Sequence, residues 1–199
     1  MTTDPLRPLD TVSGADLDRL RARLVDAAAT GGVLDVAYRT LDTPVGPLLL
    51  AATDRGLVRI AFASEDHDAV LVRLAERISP RILRAPARLD DAARQLAEYF
   101  AGRRRSFDLP VDLRLAGGFR REVLDQLPHI PFGRTASYAE VAAATGRPRA
   151  VRAVGTACAT NPVPLVVPCH RVLRSDGALG GYLGGPEVKR RLLQLEGAA

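Results

Sequence analysis

Cysteine beside histidine is the pairing in this sequence best suited to covalent chemistry, and it occurs once. Cys169-His170 lies in the run Pro164-Leu165-Val166-Val167-Pro168-Cys169-His170-Arg171-Val172. The thiolate is the nucleophilic form of cysteine, and a neighbouring imidazole is the usual means of producing it near neutral pH. Cysteine is scarce, with only Cys158 and Cys169 in 199 residues. Read bare, the run displays a nucleophilic thiol where a strand gives way to a turn, with Pro168 stiffening that turn. A buried structural cysteine beside a surface histidine explains an isolated Pro-Cys-His at least as well, so the surroundings decide. Three features converge on Cys169. Asn161-Pro162-Val163-Pro164 puts a polar side chain on a proline-stiffened turn just upstream. Gly177-Ala178-Leu179-Gly180-Gly181-Tyr182 follows, a loop whose backbone N–H groups can face a ligand. Glu196 can orient His170 if the chain folds back.

The elements that must position these groups can be read from periodicity. Residues 13–30 form an expected amphipathic helix, with Ser13 and Asp16 as a capping box and Leu17, Leu20, Leu24 and Ala28 on one face. Gly31-Gly32 ends it. Three strand-like runs follow, Leu34–Leu41, Pro47–Ala52 and Leu57–Ala63, joined by turns at 43–46 and 53–56, so a small antiparallel sheet is expected. Helical stripes cover 66–78 and Asp90–Ala101. Beyond Asp108–Gly118 the chain becomes short helices at Phe119–Leu127, Tyr138–Thr145, Pro148–Thr160 and Glu187–Leu195. The pair Tyr138–Thr145 and Pro148–Thr160, joined at Gly146-Arg147 with Pro148 in the first helical position, has the form of a helix-turn-helix. Its second helix carries Arg149 and Arg152 near the start and then turns small and apolar through Ala153, Gly155 and Ala157.

Composition narrows the class. An apolar content of 47% suits real cores. No stretch reaches the roughly 20 uncharged apolar residues that cross a bilayer, and Met1–Asp10 lacks an apolar signal core. An intracellular protein without disulfides is expected. The net charge of +5 is unevenly spread: residues 1–111 hold 16 basic and 16 acidic side chains, and residues 112–199 hold 12 and 7. Such asymmetry suits a C-terminal module that meets a polyanion. However, 27 of the 28 basic residues are arginine in an alanine-rich chain, so composition alone leaves nucleic-acid binding open.

Pro-Cys-His-Arg-Val, preceded by Asn-Pro-Val-Pro and followed by Gly-Gly-Tyr, resembles the O6-alkylguanine-DNA alkyltransferases, the methylated-DNA–protein-cysteine methyltransferases. So do Ser137-Tyr138, Arg152-Ala153-Val154-Gly155 and the closing Leu192-Leu193-Gln194-Leu195-Glu196-Gly197, in one register from about Phe119 to Gly197. The resemblance implies an α+β fold, with a small N-terminal antiparallel-sheet domain and a mostly helical C-terminal domain containing a helix-turn-helix. The expected organisation is an extension at 1–32, a small α/β domain at 33–108, a linker at 109–118 and a DNA-binding, alkyl-acceptor domain at 119–199.

It also implies a reaction: one irreversible transfer of an alkyl group from guanine O6 to Cys169, with no cofactor or metal. In that reading His170 is the base acting on the thiol through a water, Glu196 holds the imidazole, and the relay favours the thiolate. Tyr138 contacts the base and adjacent phosphate, and Asn161 braces the active-site turn. Arg152 fills the space of a flipped base. Ser137, Tyr138, Arg149, Ala153 and Gly155 join it at the minor groove of duplex DNA, bound without sequence preference. Pro164, Val172, Gly180, Tyr182 and Leu183 line the substrate pocket. A monomer in the cytoplasm, at the nucleoid when on DNA, is expected. Acceptance of O4-alkylthymine and cooperativity on DNA stay open.

The chain departs from the family pattern at Leu124, where tryptophan is common, and at Leu183, where some members have serine. His67 and His129 lack metal-ligand spacing. Cys158 is expected to pack rather than react, and Arg171 to touch phosphate or to hold the turn by a salt bridge. Two other classes compete. A lesion-binding protein without transfer would lack the acceptor cysteine, whereas Cys169 is present. A cysteine hydrolase would need turnover and an oxyanion hole.

Overall fold

The computed structural model describes residues 13–198, so the Met1–Asp10 segment read above lies outside the described residues. The chain divides after Leu34 into two compact units. In the first, α1 (Gly14–Thr30) opens on the expected box: the Ser13 hydroxyl accepts from the Asp16 amide at 3.2 Å, and the Asp16 carboxylate accepts from the Ser13 amide at 3.3 Å. Gly32 at φ +64° ends the helix as Val33 N–H closes onto the Ala28 carbonyl at 2.9 Å. Leu17, Leu20 and Leu24 are exposed.

The second unit starts with a four-stranded sheet in the order β3-β2-β1-β4, built from β1 (Val36–Leu41), β2 (Leu48–Thr53), β3 (Gly56–Phe62) and β4 (Ile82–Arg84). The first three strands are antiparallel neighbours as expected, with Arg39 opposite Leu50 and Leu50 opposite Ile60. β4 is an addition to the sequence reading and runs parallel to β1. β2 is buried along its whole length because both sheet faces are covered. On one face Leu49, Ala51, Val58 and Ala61 pack against Val70 and Leu74 of α2 (His67–Arg77). On the other, Leu48, Leu50 and Ile60 join Leu96 and Tyr99 of α3 (Asp90–Phe100).

That second face is continuous with the helical half. One apolar cluster runs from the sheet and α3 through Val123 and Leu124 of α4 (Phe119–Gln126), Val141 and Ala142 of α5 (Tyr138–Ala144), and Val154 and Ala157 of α6 (Val151–Ala159). It ends at Leu192 of α7 (Gly185–Glu196). Leu124 is fully buried there, so leucine fills core volume at this departure from the family pattern. The crossing between the halves is tight. Gly56, at φ +129°, lies where a side chain would collide with the Pro110 carbonyl, and Leu57 pairs with the Pro110–Asp112 backbone. Burying this continuous face contributes roughly 25 cal/mol per Å² of apolar surface.

The helix-turn-helix differs from the expectation at its second start. Pro148 is not the first helical residue; α6 begins at Val151, and Arg149 precedes it. The Ala150 amide bonds the Arg147 carbonyl at 2.8 Å, so Arg147–Ala150 forms a turn with proline in its second position. That place suits its fixed φ and missing N–H. A two-residue parallel pairing, β5 (Ala136–Ser137) with β6 (Val172–Leu173), sets the start of α5 beside the Cys169 segment.

Candidate active site

Cys169 opens a 3-10 turn, Cys169–Arg171, that leads into β6. A strand therefore follows the thiol instead of preceding it, because Asn161–Pro168 is taken up by turns. Leu165 holds φ +75° in this stretch, a left-handed conformation that costs a bulky residue about 1–3 kcal/mol and needs surrounding support. Asn161 supplies much of it. Fully buried, it donates from Nδ2 to the Val167 carbonyl at 2.8 Å and to Cys169 Sγ at 3.1 Å, while its Oδ1 accepts the Val163 amide at 3.0 Å. The sheet adds a brace, since the Ile60 amide and the Arg59 guanidinium both donate to the Pro162 carbonyl.

One carboxylate organises the other side of the turn. The last turn of α7 brings Glu196 inward, and Gly197 at φ +69° stops the helix directly after it. Glu196 accepts from His170 Nε2 at 2.9 Å, from Arg171 Nε at 2.8 Å and from the Tyr99 hydroxyl at 2.7 Å. Arg171 also donates to the Ile130 carbonyl at 2.7 Å, so of its two expected roles the structure assigns it the salt bridge. Burial works to raise the Glu196 carboxyl, but the hydrogen bonds from His170, Arg171 and Tyr99 override it and hold it at about 2.

An ionised Glu196 only accepts, so His170 carries its proton on Nε2 and presents a bare lone pair at Nδ1. Nδ1 is buried and has no hydrogen-bond partner. Burial lowers the pKa of His170, which favours the neutral imidazole that can take a proton.

The sulfur corrects one expectation. Cys169 is 2% exposed, and burial pushes its thiol up to about 11 against the opposing hydrogen bond from Asn161 and the charge of Lys189. Burial thus favours the neutral thiol over the thiolate at rest, because an anion there lacks enough solvation. Cys158 also faces inward as a free thiol, raised by burial and then by Cys169.

Tyr138, half-buried at the start of α5, packs on the glycine loop: a Cβ at Gly180 would lie 2.9 Å from its phenol oxygen. Burial, then the nearby Cys158 and Cys169, raise the Tyr138 hydroxyl. Ser137 caps α5, with Oγ accepting the Glu140 amide at 3.1 Å. Val172 and Pro164 are buried. Tyr182 stands edge-on to Phe62 and His170, with a buried hydroxyl that has no partner. Leu183 lines a separate cavity beside Arg59. On α6, Arg152 and Ala153 are exposed and Gly155 is half-exposed, with open space where a Cβ would stand. Arg149 is exposed ahead of the helix. His67 is half-buried and His129 exposed, and among the described residues no cluster of three or more His, Cys, Asp or Glu could hold a metal. No described helix is long and apolar enough to cross a membrane.

Sequence reasoning missed two residues. Tyr99 reaches Glu196 across 97 positions, with no local signal. Lys189 is fully buried, with Nζ donating to the Val172 carbonyl at 2.6 Å and to the Leu179 carbonyl. It thereby ties β6 to the glycine loop. Its signal was available: it is the only lysine among 28 basic residues.

The chain is similar to known proteins over most of its length. The family model described as 6-O-methylguanine DNA methyltransferase, DNA binding domain, matches residues 118–198, and that of the same family's ribonuclease-like domain matches 36–113. The constitutive methylated-DNA–protein-cysteine methyltransferase of Bacillus subtilis (strain 168) is 40% identical over 160 residues, covering 80% of this chain and 94% of that protein. A methylated-DNA–protein-cysteine methyltransferase of Mycolicibacterium paratuberculosis is 40% identical over 161 residues, covering 81% and 92%. The crystal structure of Mycobacterium tuberculosis OGT in complex with DNA superposes with a TM-score of 0.72 at 40% identity, covering 81% of this chain and 93% of that one.

Proposed function

The chain belongs to the 6-O-methylguanine DNA methyltransferase family, and from that premise we propose that it repairs O6-alkylguanine in DNA by moving the alkyl group irreversibly to its own Cys169. The observation that carries this reading is the single turn in which Asn161 holds the sulfur and Glu196 holds the adjacent imidazole.

The chemistry follows from those groups. The Cys169 proton passes through a water to Nδ1 of His170, whose developing positive charge Glu196 stabilises. The sulfur lone pair attacks the alkyl carbon in line with the breaking carbon–O6 bond. The bonding pair goes to guanine, which takes a proton from Tyr138 as it leaves. A thioether remains on Cys169, and nothing in the reaction regenerates the thiol. Because the resting thiol is held near 11, deprotonation belongs to the reaction itself, which protects the sulfur from adventitious alkylation between encounters.

A base stacked in a duplex is out of reach of a buried sulfur, so the lesion rotates out of the helix at a cost of a few kcal/mol, less for a poorly paired base. The small residues on α6 support close approach to the minor groove, and the exposed Arg152 supports a role in filling the vacated stack. Phosphate and shape contacts carry no sequence information, as repair at arbitrary positions demands.

Replacing Cys169 with alanine is expected to abolish transfer while lesion-containing duplex still binds. Loss of binding in a variant with wild-type unfolding behaviour would refute the separation of recognition from chemistry. Arg152→Ala is expected to slow repair of duplex roughly tenfold, the effect of losing about 1.4 kcal/mol of flipping support. Transfer from free O6-methylguanine base should be unchanged. Equal slowing with both substrates would remove Arg152 from base flipping.

A further inference from the structure

A cavity of about 330 Å³, with Pro162 of the Asn161–Pro168 turn in its wall but not Cys169, lies between α2, β3 and the segment that leaves α6. Arg59, Arg73, Arg77 and Arg120 line it against a single carboxylate, Glu65. That carboxylate is already committed, pairing with Arg59 where both side chains are 14% exposed. Arg73, Arg77 and Arg120 have no ion-pair partner among the described residues. Arg73 and Arg77 stand four residues apart on α2, on one helix face, where like charges repel. Arg120 spends one terminal N–H on the Leu115 carbonyl, but its Nε is buried and has no acceptor. Burial, and then the neighbouring charge of Arg73, act to lower the pKa of Arg59 against the pull of Glu65.

This is a pocket rich in donors and poor in acceptors. Guanidinium groups present fixed forks of N–H donors that match a tetrahedral oxyanion, and they bind phosphoryl oxygens with charge-assisted hydrogen bonds. We propose that the cavity is a phosphoryl-binding site in which Arg73, Arg77 and Arg120 hold the anion and the Arg59–Glu65 pair forms its floor. The backbone phosphate of DNA and a free phosphate or nucleotide share this chemistry. The geometry favours DNA, because Ala159 and Thr160, where α6 ends, are part of the lining, so the site continues the surface that carries Arg152. That preference rests on the DNA-binding reading of α6; phosphoryl binding itself does not.

The test uses the full chain, an Arg73→Ser/Arg77→Ser variant, and an Arg103→Ser/Arg105→Ser control that removes the same charge from an exposed turn elsewhere. Inorganic phosphate is titrated while the arginine Nε–H NMR signals are followed, and the affinity for unmodified duplex is measured against salt. The expected result is a saturable shift of the Arg120 Nε–H signal in the wild type and control, lost in the cavity variant. With DNA as the source, the slope of log affinity against log salt falls by about 0.9 in the cavity variant alone, the contribution of one phosphate. A phosphate shift with an unchanged slope would assign the site to free phosphate or a nucleotide. A wild type with no saturable shift, or a shift that survives in the cavity variant, would overturn the proposal. Transfer from free O6-methylguanine base to Cys169 should be the same in all three proteins, so failure of the alkyl-transfer reading would show separately.

Discussion

Glu196→Gln is expected to lower stability by about 3–5 kcal/mol at pH 7, the cost of leaving a buried charge without its partner. One carboxylate serves His170, Arg171 and Tyr99, all donors, and an amide turns one of its two acceptors into another donor. Arg171 would keep the Ile130 carbonyl and lose its counter-charge inside the protein. Denaturant unfolding should show a lower midpoint at an unchanged slope. Transfer should also slow about a hundredfold, because the imidazolium that forms at His170 loses its stabilising anion. The same group predicts the acid limb of the stability profile. Its folded pKa is about 2, against about 4.3 in an unfolded chain. Between those values the unfolded state binds more protons, so stability is fully present above about 4.3 and is lost as pH falls towards 2. The loss is on the order of 3 kcal/mol, and the glutamine variant should lack that part of the profile. Wild-type stability of Glu196→Gln at pH 7 would contradict the network.

Asn161→Ala is expected to cost about 1–3 kcal/mol, because it leaves the Val163 amide unpaired in the interior and takes one of two donors from the Val167 carbonyl, which keeps only the Cys169 amide. The variant also removes the one side-chain donor on Cys169 Sγ, so the sulfur should become more basic than in the wild type. The pH profile of thiol alkylation at Cys169 reads this directly and should move upward. A profile that stays in place, with stability alone reduced, would show that Asn161 shapes the turn without tuning the thiol.

Periodicity made much of the architecture readable. The strands before Ala63 and the stripes at Val70-Leu74 and Leu96 signal their elements because one side chain in two, or in three to four, meets the core. β4 was illegible because three residues are too few for a pattern, and its pairing with β1 depends on a parallel partner over forty positions away. Pro148 misled because proline suits both a first helical turn and the second place of a tight turn; the chain uses the latter. At the site, Asn161, Cys169 and His170 lie within ten residues and announce themselves. Glu196 could be named from its motif, but its grip on Arg171 and Tyr99 arises only when α7 and α3 close on the same point. The neutral resting thiol was hidden for a similar reason: sequence shows the imidazole beside the sulfur but not the burial that outweighs it. Lys189 was the one buried contributor that composition had marked, through its identity alone.

On the proposed chemistry Cys169 is both the nucleophile and the site where the alkyl group stays. Intact-mass analysis after complete mixing with duplex containing O6-methylguanine tests it most directly. One added methyl per molecule is expected, located on Cys169 by peptide mapping, with no further product when more substrate is supplied. An unchanged mass, or several equivalents of repaired guanine per protein molecule, would contradict it.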